Sequence, residues 1–166
     1  MPRTRMLTPD DGAALAALLT RVSPDTSYAR FHGYVRELTT PLLDRLLDLE
    51  RGRHEAVIAE TDDGIVAIAR YVRDTPTSAD AEAAIVVADA WQRTGLGREL
   101  MHELMTAARQ AGVRRFRATM MAGSAPVRGF VTTLAPTARG RLVDDKVVVM
   151  IDLPDPTDAE VPSPHR

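Results

Sequence analysis

The sequence predicts a single α/β (α+β) domain in which helices flank a mixed central sheet. Three observations predict this fold class. Apolar residues recur at helical spacing in the first 50 residues, residues 55–72 have the pattern of a β-hairpin, and residues 82–121 read as strand, helix and strand. Hairpin strands pair antiparallel, whereas strands joined by a helical crossover pair in parallel, so the sheet must contain both arrangements.

Each of three predicted helices in the first part of the chain starts at a Ser/Thr-Pro pair. Such a pair places a good N-cap before a proline at the first helical position. The pairs are Thr8-Pro9, Ser23-Pro24 and Thr40-Pro41, and Asp11 completes a near capping box with Thr8. The second helix is expected to end at Gly33. The apolar faces of the first and third helices consist of Ala14, Leu15, Leu18 and Leu19, and of Leu42, Leu43, Leu46 and Leu47.

The rest of the chain alternates strands with helices. The hairpin comprises residues 55–60 and 65–72, and the next strand, 82–88, has adjacent apolar residues that indicate cover on both faces. A helix is predicted over 96–111, with Gly112 as its stop. Its buried stripe consists of Leu96, Leu100, Met101, Leu104, Met105 and Ala108. A strand at 114–121, a helix at 125–134 and a strand-rich region at 142–153 follow.

Length and composition limit the number of domains, the classes of partner and the cellular compartment that we expect. The 166 residues suffice for one domain with a sizeable core, which we expect to comprise residues 1–153. The proline-rich residues 154–166 are expected to form a flexible tail. A net charge of −2 gives no sign of a nucleic-acid partner. Cysteine is absent, which excludes disulfides and thiolate metal sites and fits a reducing compartment. Neither a signal peptide nor a membrane-length apolar run is present, so we expect a cytoplasmic protein that binds no membrane.

A glycine-rich turn joins the strand at 82–88 to the helix at 96–111. Its sequence is Gln92-Arg93-Thr94-Gly95-Leu96-Gly97, and Arg98 follows. Unpaired amides at a helix start, close backbone approach at glycine and two arginines together suit a phosphate group. Alternatively, the glycines only permit tight contact between strand and helix while the arginines are solvated. The spacing alone favours neither interpretation.

The turn and its context resemble a known family. Residues 92–97 are similar to the Q/R-x-x-G-x-G/A signature of the GCN5-related N-acetyltransferase (GNAT) superfamily, which binds the pyrophosphate of acetyl-coenzyme A (acetyl-CoA). The stretches SPDTSYARFHG, EAVIAE and AEAAIVVADAWQRTGLG resemble, in order and spacing, the acetyltransferase domain of bacterial protein-lysine acetyltransferases. The resemblance covers about residues 4–153 and implies the GNAT fold, with a central sheet of about six to seven strands.

The resemblance also implies a coenzyme site. In the family, the strand before the signature carries a bulge and splays from the next parallel strand, and the pantetheine arm binds backbone groups in the gap. Here those groups would belong to Ile85, Val86 and Val87. The pyrophosphate would bind the amides of Arg93, Thr94, Gly95, Leu96, Gly97 and Arg98, with Gln92 at the edge. Ser124 stands where the family commonly has an asparagine that contacts the coenzyme.

Glu82 is the candidate general base. At pH 7 only about one lysine in 10³ is neutral, so a positioned carboxylate that accepts the amine proton helps the transfer. Glu82 opens the strand that leads into the signature, and in the resembling subgroup a glutamate in the similar A-E-x-x-x-x-V context is the base. The alternative is a solvated charge at a strand end, and Asp80 is a nearby carboxylate of the same kind.

The predicted function is transfer of an acetyl group from acetyl-CoA to a primary amine by direct attack in a ternary complex. The first candidate for the amine is a protein lysine. Two alternatives stay open: an acetyltransferase for small-molecule amines, and a non-catalytic acyl-CoA-binding or regulatory module. The second is favoured by residues 124–135, which lack the tyrosine that often assists the leaving thiolate. The four histidines have no metal-binding spacing, so no metal is expected. Dimers are common in this fold, so a homodimer is compatible with the resemblance.

Overall fold

A computed structural model of the protein describes residues 1–22, 40–121, 129, 132–133, 138–143 and 146–154. Within them lie seven strands and three α-helices. In chain order these are β1 (Arg3–Met6), α1 (Gly12–Leu18), α2 (Thr40–Leu47), β2 (His54–Thr61), β3 (Gly64–Val72), β4 (Asp80–Val87), α3 (Leu96–Gln110), β5 (Arg115–Met121), β6 (Arg139–Val143) and β7 (Lys146–Asp152). The expected helices at 24–33 and 125–134 lie largely outside the described residues, as do Ser124 and the tail beyond residue 154.

All seven strands form one sheet in the order β1-β2-β3-β4-β5-β7-β6. The β4–β5 pair is parallel, and every other neighbouring pair is antiparallel. The parallel pair is the one that α3 connects, as a helical crossover requires. The predicted mixed sheet and its fold class are therefore confirmed.

The core is centred on β3. Five consecutive residues of this strand, 65–69, are buried, and because side chains alternate between faces, both faces of β3 are covered. Both α1 and α3 contact β3. In α3 the buried residues are Leu96, Leu100, Met101, Leu104, Met105 and Ala108, the six that the helical spacing predicts. Each fully buried leucine stabilises the fold by about 1.5–3 kcal/mol.

The predicted start of the first helix at Pro9 is confirmed, but its first turn is a 3-10 turn rather than an α-helical one. Pro9–Asp11 form a 3-10 turn that leads into α1, and the Asp11 carboxylate accepts a hydrogen bond from the Thr8 amide at 2.8 Å. Leu15 and Leu18 of α1 are buried. A helix that begins with a tighter turn still presents the same apolar face, because two turns of α-helix follow it.

Arg73 is a structural residue that the sequence does not reveal. It opens a polar loop, yet it is 3% exposed. Its guanidinium donates to the carbonyls of Gly52 and Ala111 at 2.8 and 2.7 Å, and to that of Ser78 at 2.8 Å. Because Ala111 is the C-cap of α3, the cation also offsets the partial negative charge of the helix end. Arg73 thereby holds the β3–β4 loop against α3.

Candidate active site

The sheet opens into a fork between β4 and β5. Strand β4 pairs with β3 from Glu82 to Val87. It pairs with β5 over three positions only, of which Glu82 opposite Arg117 is the last. Beyond that position the two parallel strands part, so one edge of β4 faces a gap. The bulge that the family resemblance implies for this strand is absent from the β3–β4 pairing, where the register runs without a shift.

The backbone of β4 presents alternate residues to the gap. The Ala88 amide donates to the Val66 carbonyl at 2.8 Å, so the backbone groups of Ala88 point toward β3. Because N–H and C=O directions alternate along an antiparallel strand, those of Val86 also point toward β3, and those of Ile85 and Val87 point toward the gap. The side chain of Val86 is buried. The fork thus offers the backbone donor and acceptor of Ile85 and the amide of Val87, whereas the Val87 carbonyl already accepts a hydrogen bond from Gln92.

The turn after β4 is held by its own polar side chains. Gln92 donates from Nε2 to the Val87 carbonyl at 3.0 Å, and Thr94 donates from Oγ1 to the Trp91 carbonyl at 2.6 Å. Two residues of this turn have left-handed backbones: Arg93 at φ 61° and Gly95 at φ 89°. Glycine adopts that conformation without the strain that a side chain brings, which explains its place at the N-cap of α3.

The start of α3 exposes unpaired amides to the same region. The Glu99 amide makes the first helical hydrogen bond, to the Gly95 carbonyl at 3.1 Å. The amides of Leu96, Gly97 and Arg98 precede it and have no acceptor within the helix. The side chains of Arg93 and Arg98 are exposed. Amides, helix dipole and two guanidinium groups together favour an anion at this helix start.

Glu82 lies at the point where the fork opens. Its side chain is 61% exposed, and its carboxylate lies 3.8 Å from Nη2 of Arg117, which is too long for a hydrogen bond. Asp80, the other candidate carboxylate, is occupied: Arg115 binds both of its oxygens, at 3.0 and 2.8 Å. This ion pair lowers the pKa of Asp80. Of the two carboxylates, Glu82 is therefore the one available to a substrate.

Arg70 is a site residue that sequence reasoning missed. The register of β3 and β4 places it opposite Ala84, on the same face of the sheet as Glu82. Its Nε is buried and has no hydrogen-bond partner among the described residues. Burial lowers the pKa of its guanidinium, and the nearby Glu82 carboxylate opposes that change. A lone charge in the apolar run IVAIARYV is the signal that could have found it.

His54, which the sequence offered only as one of four histidines without metal-binding spacing, lies on the same face of the sheet as Arg70. It is 5% exposed, and its Nδ1 lies 2.9 Å from the Asp48 carbonyl, while its Nε2 has no partner among the described residues. Burial lowers the pKa of His54, and the Arg70 guanidinium acts in the same direction. In the described part of the chain, no cluster of His, Asp or Glu side chains could hold a metal ion. No helix there is long and apolar enough to cross a bilayer.

Comparison with known protein sequences identifies related acetyltransferases. Residues 15–133 match the family model described as Acetyltransferase (GNAT) family. An acetyltransferase of Pseudomonas aeruginosa is 31% identical over 134 residues, which cover 78% of this chain and 72% of that protein. The acetyltransferase Pat of Mycolicibacterium smegmatis is 32% identical over 142 residues, which cover 84% of this chain and 41% of Pat. The chain thus spans less than half the length of Pat.

Solved structures give the same result. The GNAT domain of S. lividans PAT superposes with a TM-score of 0.84 at 25% identity, covering 92% of this chain and 90% of that domain. The cAMP-binding acyltransferase from Mycobacterium smegmatis gives a TM-score of 0.65 at 27% identity, covering 98% of this chain and 46% of the acyltransferase. The similarity to that longer protein is therefore confined to about half of its length.

Proposed function

This chain belongs to the GNAT acetyltransferase family, and we propose that it transfers the acetyl group of acetyl-CoA to a primary amine. A lysine side chain of a protein is the first candidate for that amine. The observation that carries the proposal is the fork, in which β4 leaves β5 after Glu82 and exposes one backbone edge. The proposal is supported by the order of three features along one strand and the turn after it: the Glu82 carboxylate, backbone groups that face the gap, and a helix start suited to an anion.

The coenzyme would bind along β4 and at the start of α3. The amide-containing pantetheine arm would pair with the backbone groups of Ile85 and the amide of Val87, which point into the gap. Val86, whose backbone groups point toward β3, would contribute core contacts instead. The pyrophosphate would bind the amides of Leu96, Gly97 and Arg98, with further charge from the Arg93 guanidinium. Ser124 is retained as a candidate contact.

The chemistry would be direct attack. The amine nitrogen forms a bond to the thioester carbonyl carbon, the carbon–sulfur bond breaks, and the thiolate of coenzyme A departs. The amine must lose a proton, and Glu82 would accept it directly or through water. Backbone amides of the fork would stabilise the oxyanion that forms at the carbonyl oxygen. Glu82 and the backbone groups of the fork lie on β4.

The protein-lysine acceptor rests on similarity. The sequence resembles the acetyltransferase domain of bacterial protein-lysine acetyltransferases, and the chain is 32% identical to Pat over 142 residues. A small-molecule amine is the second candidate acceptor, because direct attack on the thioester requires a primary amine and a proton acceptor but not a protein substrate.

The experiment is an acetyl-transfer assay with wild-type protein, acetyl-CoA, and a panel of lysine-containing proteins, lysine peptides and small amines. Release of coenzyme A is measured together with the acetyl mass increase of the acceptor. We expect transfer to at least one lysine acceptor. Binding of acetyl-CoA without transfer to any acceptor would instead support a non-catalytic coenzyme-binding module.

A paired substitution tests the coenzyme site separately. Gly97→Asp places a negative charge in the first turn of α3, where it favours the helix dipole but repels a pyrophosphate. Gly97→Asn has nearly the same shape without the charge. We expect calorimetric titration to show much weaker acetyl-CoA binding for Gly97→Asp than for Gly97→Asn. Equal affinities for the two variants would contradict a pyrophosphate site at this helix start.

A further inference from the structure

We infer that the acceptor is an amine with a carboxylate close to its amino group, and that Arg70 and Arg117 bind this carboxylate on either side of Glu82. The inference rests on the proposed function and names its acceptor class. The three residues are called the fork cluster below. Two sources of the carboxylate share this chemistry: an acidic residue beside a target lysine, and a free amino acid.

The three members of the fork cluster come together on one face of three neighbouring strands. Glu82 is paired with Arg117 of β5 on one side and with Val72 of β3 on the other. Arg70 lies two residues before Val72, so its side chain is on the same face as that of Glu82. Neighbouring strands are about 4.8 Å apart, so arginine side chains from β3 and β5 can reach a group bound above β4.

Arg70 lacks the anion that a half-buried guanidinium needs. Its Nε is removed from solvent without a hydrogen bond, and no described carboxylate lies within ion-pair distance of Arg70. A buried charged group without a partner is costly, whereas a bound carboxylate would supply a charge-assisted hydrogen bond. A second cation, Arg45 of α2, is close enough to act on Arg70 electrostatically. The region therefore attracts an anion.

Arg117 is similarly uncommitted. At 3.8 Å its guanidinium does not hydrogen-bond the Glu82 carboxylate, and its side chain is 43% exposed. Arg115, two residues earlier on the same strand face, shows the contrasting state, with both Asp80 oxygens bound. The difference indicates that the donors of Arg117 remain available to a ligand, while those of Arg115 are already used.

Charge balance gives the acceptor class. Asp80 also acts on Arg117 electrostatically, but its charge is neutralised by Arg115. Among the described residues, Glu82 is then the one remaining carboxylate beside Arg70 and Arg117, so the cluster has excess positive charge. An acceptor with cationic neighbours would be repelled. An acceptor whose amine is flanked by a carboxylate would place its ammonium group at Glu82 and its carboxylate at an arginine, where planar guanidinium groups bind two oxygens at once.

The test measures kcat/KM for three lysine peptides that differ only in the neighbours of the lysine: aspartate, asparagine or lysine. Free amino acids and their carboxamides form a second arm, which identifies the source of the carboxylate. We expect the wild type to prefer the aspartate peptide, or the amino acid over its amide, by about tenfold or more. Arg117→Gln and Arg70→Gln are expected to reduce that preference to about twofold or less.

The double variant Arg115→Gln/Asp80→Asn is the matched control, because it removes the occupied ion pair on the same strand and leaves no freed carboxylate that could pair with Arg117. It should keep the wild-type preference. Arg117 is partly exposed, so Arg117→Gln is expected to fold even if Arg70→Gln does not. An equal loss of kcat for all three peptides in Arg117→Gln would mean that the arginine only orients Glu82, and would overturn the inference. A wild type without preference would also overturn it, whereas failure to acetylate any acceptor would refute the proposed function itself.

Discussion

Two groups of arginine and carboxylate side chains lie on the same sheet and differ in how completely they are paired. The edge cluster, at β1 and β2, consists of Arg5, Asp11 and Glu60. Arg5 donates twice to Asp11 at 2.8 Å and twice to Glu60, at 2.9 and 3.0 Å. In the fork cluster, the Glu82 carboxylate lies 3.8 Å from Arg117, and the Arg70 Nε has no described partner.

The difference separates a structural role from a functional one. A guanidinium whose donors are all used contributes to stability and has none left for a ligand. Unpaired charge near an opening in the sheet costs stability and is available to a substrate. We therefore expect changes in the edge cluster to alter the free energy of unfolding, and changes in the fork cluster to alter turnover.

The largest expected effect is that of Glu82→Gln on turnover. If Glu82 is the proton acceptor, as proposed, its removal should lower kcat by about 100-fold or more, while the KM for acetyl-CoA changes little. Steady-state kinetics of acetyl transfer measure both. Asp80→Asn is the control, because Asp80 is occupied by Arg115, and it should retain wild-type kcat. If the two variants retained the same activity, Glu82 would not be the base.

The second expected effect is loss of stability in Arg5→Gln. Two carboxylates would lose their shared cation, so the free energy of unfolding should fall by about 1–2 kcal/mol, and the partial exposure of Arg5 keeps the loss from being larger. Chemical denaturation measures it. The control, Arg3→Gln, removes one bond from a 79% exposed side chain and should cost about 0.5 kcal/mol or less. Reduced kcat in folded Arg5→Gln protein would contradict the division between the clusters.

The smallest expected effect is the acid dependence of the edge cluster. Hydrogen bonds from Arg5, and then from Arg3, lower the pKa of Glu60 from 4.5 to about 2, and Arg5 also lowers the pKa of Asp11. Since these carboxylates are protonated at higher pH in the unfolded chain than in the folded one, their contribution to the free energy of unfolding is complete above about pH 4.5 and decreases as the pH falls toward about 2. Denaturation curves across this range should show that the free energy of unfolding falls less in Arg5→Gln than in wild type. Parallel losses would show that other groups control acid unfolding.

Sequence reasoning predicted much of the fold and part of the site. The six buried residues of α3, including Leu100 and Leu104, followed from helical spacing, because the apolar side of a helix must face the core. Glu82 and the turn around Gly95 could be named as candidates because both belong to one contiguous segment, and their roles stay predictions. Arg70 was missed, since it is a single charge in an apolar run and only burial of its Nε marks it as unusual. His54 was considered only as a possible metal ligand, and its burial became evident in the structure.

Within the described residues, the sequence by itself determined the order of helices and strands, the family and the turn suited to a phosphate group. These are local properties, written in apolar periodicity and in a short motif. Tertiary structure decided that β4 leaves β5 directly after Glu82, that Ile85 and Val87 turn their backbone groups toward the gap, and that Arg70 and Arg117 flank Glu82. Strand pairing sets these relations between residues distant along the chain, and no local pattern specifies where a pairing ends.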